Sequence, residues 1–134
     1  MVNPNHPFVA KRARYQCEYC HAPEVISNIA FEVDHIIPLS KNGLDVEQNW
    51  ALACRVCNLR KLDRVDGFDP VSQQQVRLFN PRIDIWKEHF AAPTEEPFLL
   101  EGRTPIGRAT VERLEMNSPL QLRAREIWIA LGIF

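Results

Sequence analysis

Two Cys-x-x-Cys pairs, Cys17-Glu18-Tyr19-Cys20 and Cys54-Arg55-Val56-Cys57, account for every cysteine in the chain, with 33 residues between them. The N-terminal stretch "MVNPNHPFVAKRARYQ" has no apolar run of signal-peptide length, so a cytosolic address is the default expectation. Disulfides are disfavoured in that compartment. Two such pairs with no spare cysteine match a tetrahedral zinc site of four thiolates. A redox pair or plain buried thiols are the alternatives. A zinc held this way cross-links two distant segments, and its binding energy becomes folding energy. Its shell is complete, so it is expected to be structural, and any chemistry must sit elsewhere.

A chain of 134 residues is expected to form one compact domain with a short appended region at most. No apolar run approaches the roughly 20 residues of a membrane span. The net charge is −1, so bulk electrostatics does not mark a polyanion binder. Residues 1–64 carry eight Lys or Arg against seven acids, and residues 65–134 eight against ten. Local basic clusters occur at Lys11, Arg12 and Arg14, and at Arg55, Arg60, Lys61 and Arg64. Alone they support nucleic-acid binding weakly, because most charge runs are solvated faces.

Periodicity predicts a short basic helix over 8–16 and a strand near 28–34 with Ile29, Phe31 and Val33 on one face. A loop marked by Pro38, Asn42 and Gly43 follows, then a strand over 49–54 and a helix from Cys54 with Val56, Leu59 and Leu62 inward. Residues 67–90 read as irregular with scattered aromatics, and "AAPTEEPFLLEGRTP" as linker-like or a short hairpin. Two helices come next, with Thr104 and Ser118 as N-caps, a proline after each, and Gly132 as a C-terminal stop. On the second, Leu120, Ala124, Ile127 and Leu131 form an apolar stripe expected to pack. Phe79, Trp86, Phe90 and Trp128 read as core aromatics. A competing reading of this half is a DNA-positioning or dimerising element using Arg103, Arg108 and Arg123.

The polar residues around the strand, loop, strand, helix unit are Asp34, His35, Asn49 and Asn58. With the four cysteines held together, the helix must lie back against the first strand. Asn58 is turned about 100° from Cys57, so it can face away from the zinc and toward Asp34. A carboxylate and an amide oxygen make a hard, partial shell that suits Mg2+ or a similar ion keeping several waters. Beside it, His35 can deprotonate a water. Taken singly, an Asp-His step is more often a surface pair, and the two asparagines a turn residue and a helix-face amide. The coincidence with the cysteine spacing reverses those odds.

"DHIIPLSKNG", "NWALACRVCN" and "NLRK" resemble the HNH endonuclease family over about residues 17–64. The resemblance implies an α+β fold: a ββα-metal (His-Me finger) core stapled by a four-cysteine zinc, here followed by a mainly helical C-terminal extension. The domains expected are residues 1–65 for the nuclease core and 66–134 for the extension. By the same resemblance, Asp34 and Asn58 ligate a catalytic Mg2+ or Mn2+, and His35 is the general base. Asn49 fixes the loop and the base, and Lys61, with Arg60 beside it, touches the substrate backbone. Asn58 departs from the family's eponymous last histidine, and an amide there favours Mg2+ or Mn2+ over Zn2+ or Ni2+. The activity implied is one-metal hydrolysis of DNA phosphodiesters, nicking or double-strand cleavage, with a possible homodimer for the latter. The rival reading is a non-catalytic, zinc-stabilised nucleic-acid-binding module.

Overall fold

An antiparallel pair of four-residue strands organises the first half of the chain. In the computed structural model, which describes residues 2–134, two units separate at Arg64 and Val65. In the first, helix α1 (His6–Arg12) packs its buried Val9 and Ala10 onto strands β1 (Glu32–His35) and β2 (Trp50–Ala53). The helix is shorter than the expected 8–16. Arg14 and Tyr15 adopt left-handed backbone (φ 55 and 59), and the Tyr15 N–H turns back to the Ala10 carbonyl at 2.8 Å. The strands pair in register from Glu32 opposite Ala53 to His35 opposite Trp50.

β1 also begins later than the alternation suggests. A 3-10 turn over Glu24–Ser27 ends on left-handed Asn28, which leaves Ile29 56% exposed and outside the strand. Phe31 is buried just before the strand starts. Asn49 belongs to a 3-10 turn over Glu47–Asn49 and not to β2. Helix α2 (Arg55–Lys61) follows, packed against both strands. Its orientation differs from the expected one. Cys57 must face the other cysteines, and Lys61, four residues on, shares that face. Val56, Leu59 and Leu62 are thereby turned outward and exposed, and Cys57 and Lys61 are the buried positions.

The second unit contains more sheet than its irregular sequence suggests. Residues 66–77 form a hairpin, β3 (Asp66–Asp69) with β4 (Gln74–Arg77). Helix α3 (Trp86–His89) leads into β5 (Phe90–Ala91), which pairs with β6 (Glu101–Gly102) across the stretch read as linker or short hairpin. Helix α4 (Pro105–Arg113) packs on β3, β4 and β6, and Thr104 caps it by accepting the Gly107 N–H at 3.0 Å. Phe79 and Phe90 meet edge to face, with centroids 5.2 Å apart, in a core that includes Leu78, Leu100, Ala109 and Leu114.

Asp69, fully buried, ties the first hairpin to α4. It accepts two bonds from Arg108 at 2.8 and 3.0 Å, which hold its carboxyl well below the usual carboxylate range. Arg108 is therefore occupied within its own unit. Helix α5 (Pro119–Ala130) faces opposite to the expected stripe. Arg125 is fully buried and donates to the Phe98 carbonyl at 2.6 Å and the Met116 carbonyl at 2.7 Å. Satisfying those carbonyls with one guanidinium fixes the helix rotation, so Gln121 and Arg125 lie inward and Leu120, Ile127 and Leu131 are exposed. Among the described residues, no helix is long and apolar enough to cross a membrane.

Candidate active site

Four sulfurs close the first unit. Cys17, Cys20, Cys54 and Cys57 are free thiols, all buried, with ligand atoms within 4.8 Å of one another. The Cys20 and Cys54 sulfurs are 3.7 Å apart. Tetrahedral zinc with Zn–S bonds of about 2.3 Å sets sulfurs about 3.8 Å apart, so the cluster fits that ion. Cys54 is also the N-cap of α2, accepting the Cys57 N–H at 3.4 Å. Hydrogen bonds from Cys17, Cys20 and Cys57 hold the Cys54 thiol down, while contacts within the cluster and burial push Cys20 and Cys57 up. The first knuckle is bonded to β2 through Glu18: its N–H donates to the Leu52 carbonyl, and its carboxylate accepts the Leu52 N–H, each at 2.8 Å.

One residue of that knuckle reaches the end of β1. The Tyr19 hydroxyl donates to Asp34 Oδ2 at 2.7 Å. Burial pushes the phenol well up, so it stays a donor at neutral pH. The Lys61 ammonium lies 3.1 Å from the same oxygen and 3.4 Å from Oδ1, and it also donates to the His35 carbonyl at 3.2 Å. Asp34 is 6% exposed and Lys61 2%. Burial raises the Asp34 carboxyl, partly offset by Lys61 and Tyr19. Lys61 therefore differs from the expected solvent-facing backbone contact. The helix rotation set by Cys57 carries it inward, onto Asp34. Arg60 remains exposed.

Asn58, half-buried, stands one helical turn before Lys61 and about 60° around α2 from it. The helix side that delivers Lys61 to Asp34 thus also carries Asn58. A carboxylate offers about four acceptor positions, and the long Lys61 contact leaves Oδ1 with capacity to spare. A carboxylate and an amide oxygen are both hard donors, the kind a divalent ion takes.

His35 follows Asp34 and projects to the other side of the strand. Its side chain is 28% exposed, and Nε2 lies 2.9 Å from Asp45 Oδ1. The same oxygen accepts the Trp50 indole N–H at 3.0 Å. These two bonds lower the Asp45 carboxyl, the His35 contact most. Asn49 staples the intervening loop at both ends. Its Nδ2 donates to the Ile37 carbonyl at 2.9 Å and the Leu44 carbonyl at 2.8 Å, and its Oδ1 accepts the Ile37 N–H at 2.9 Å. Asn49 thus ties together the two ends of the loop that follows His35. Neither Tyr19 nor Asp45 was singled out by sequence reasoning. Tyr19 had one signal, its place inside a Cys-x-x-Cys turn. Asp45 had none in local spacing, because the fold of the loop between the strands brings it back to His35.

Gly43 makes the loop possible. A Cβ there would run into the carbonyl oxygen of Ile37. Gly43→Ala is expected to destabilise the first unit by about 1–3 kcal/mol, read as a lower melting temperature with zinc still bound. An unchanged melt would show that the loop can shift without cost.

No curated protein and no solved structure matches the chain. One stretch does match a family model: residues 17–64, which hold the four cysteines, Tyr19, the ends of both strands, the loop between them and helix α2 through Lys61, match the HNH endonuclease family.

Proposed function

We propose that the first unit is a divalent-metal-dependent endonuclease core acting on DNA phosphodiester bonds in a cytoplasmic setting, and that residues 66–134 are an extension to it. The observation that supports this reading best is the Lys61–Asp34 contact. It draws the helix bearing Asn58 onto the strand end that bears Asp34 and His35. Asp34 and Asn58 would hold Mg2+ or Mn2+, while the four cysteines hold a structural zinc. A divalent ion bound there supplies Lewis-acid stabilisation of the charge that builds on the leaving O3′. His35 takes a proton from water as the water oxygen bonds to phosphorus. The P–O3′ bond breaks, leaving a 5′-phosphate and a 3′ oxygen that is protonated from solvent. Asn49 keeps the loop that flanks His35 in one shape. Arg60, exposed on α2, is the backbone contact of choice. One such site cuts one strand, so a double-strand break takes a dimer or two encounters.

A second reading, a non-catalytic zinc module that binds nucleic acid, has one observation in its favour: Asp34 already has a cation beside it in Lys61. The two readings part at Mn2+. Under the nuclease reading, Asp34→Asn loses Mn2+ binding by calorimetry while His35→Ala keeps it, and both lose cleavage. Equal Mn2+ binding by Asp34→Asn and the unaltered protein would contradict the ligand assignment.

A further inference from the structure

We propose that Asp45 is the positioning residue for His35: it accepts the Nε2 proton and so keeps the lone pair on Nδ1. The catalytic consequence rests on the nuclease reading, but the positioning does not. Asp45 is an exposed side chain, 67% accessible, in a loop between two strands. Exposed ion pairs contribute little to stability, because the side chains lose entropy and water screens the charge. Yet this carboxylate is constrained from three directions.

His35 Nε2 lies 2.9 Å from Oδ1, and the Trp50 indole N–H donates to the same oxygen at 3.0 Å. Trp50 sits directly opposite His35 in the strand register, so one oxygen bridges neighbouring side chains of the pair. The backbone just before it is pinned as well, since Asn49 holds the Leu44 carbonyl at 2.8 Å. The loop can close tightly there because Gly43 has no Cβ to meet Ile37.

The chemical consequence follows from the imidazole inventory. A neutral imidazole has one N–H and one lone pair, and an ionised carboxylate only accepts. Nε2 must then be the donor. Nδ1 is left as the acceptor, the atom able to take a proton from water. The role matches that of a carboxylate behind a catalytic histidine, which orients the ring and fixes its tautomer without itself taking the proton. Asn49 thereby gains a place in the same chain of contacts, acting on Asp45 through Leu44 and on His35 through Asp45.

The test uses the zinc-loaded protein and two variants, Asp45→Ala and Asp45→Asn. Asparagine keeps the shape of the side chain but adds an amide donor that can face Nε2, whereas alanine removes the contact. Long-range 1H–15N spectra of the His35 ring report which nitrogen carries the proton, whether or not the protein cuts DNA. The unaltered protein is expected to show the Nε2–H form alone. Asp45→Ala and Asp45→Asn are both expected to populate the second tautomer. With plasmid DNA and Mg2+, both variants are expected to lower kcat about 10–100-fold with KM little changed. A tautomer unaffected by Asp45→Ala would overturn the proposal. Absence of cleavage by the unaltered protein would instead overturn the nuclease reading, while the spectra still decide the role of Asp45.

Discussion

Cys57→Ser, or stripping the metal with a strong chelator, is expected to unfold the first unit. Its sheet has only two strands, and such a pair alone is marginal in water. What joins the pieces is the cysteine cluster. Cys17 and Cys20 lie in a knuckle bonded to β2 through Glu18, and Cys54 caps the helix on which Cys57 is buried. Structural zinc in comparable small sites contributes about 10–16 kcal/mol at neutral pH, more than a small domain's whole stability. The loss should appear as collapse of amide protection in β1, β2 and α2, reversed by adding Zn2+ to the chelated protein but not to Cys57→Ser. Retained protection after full zinc removal would mean that the thiols serve only as buried packing.

Lys61→Met is expected to destabilise the first unit by about 3–5 kcal/mol, the usual cost of leaving one member of a buried ion pair without its partner. Methionine fills much of the same volume, so the loss is electrostatic in origin and not a cavity. Asp34 would keep the Tyr19 bond but lose its cation at 3.1 Å. The double variant Asp34→Asn with Lys61→Met should recover much of the stability, because no unpaired charge is left in the interior. Urea unfolding of the four proteins of this cycle, all zinc-loaded, measures the coupling directly. A coupling near zero would show that Lys61 and Asp34 do not act as a pair.

Legibility from sequence followed the range of the interactions. The two cysteine pairs announce a cross-link on their own, and the strand, loop, strand, helix order can be read from alternation and turn residues. The rotation of α2 could not be read that way. An apolar pattern favours Val56, Leu59 and Leu62 inward, but Cys57 is fixed by the sulfur cluster and brings Lys61 with it. The same holds in the second unit, where buried Arg125 overrides the apolar stripe of α5 because backbone carbonyls at Phe98 and Met116 need its donors. The β3–β4 hairpin was hidden for a related reason, since Phe68 and Val71 are exposed and buried Asp69 holds the turn. At the candidate site, Asp34, His35, Asn49 and Asn58 stand out by residue type and spacing. Tyr19 and Asp45 do not, because each reaches its partner through knuckle docking or the closure of a loop.

The central claim is that the chain hydrolyses DNA with His35 as general base. Its most direct test is nicking of supercoiled plasmid in Mg2+ or Mn2+ by the unaltered protein and by His35→Ala, both zinc-loaded and equally folded. The account predicts nicking by the former and a loss of about 100-fold or more in the latter. Equal cutting by the two, or DNA binding with no cutting by either, would contradict it.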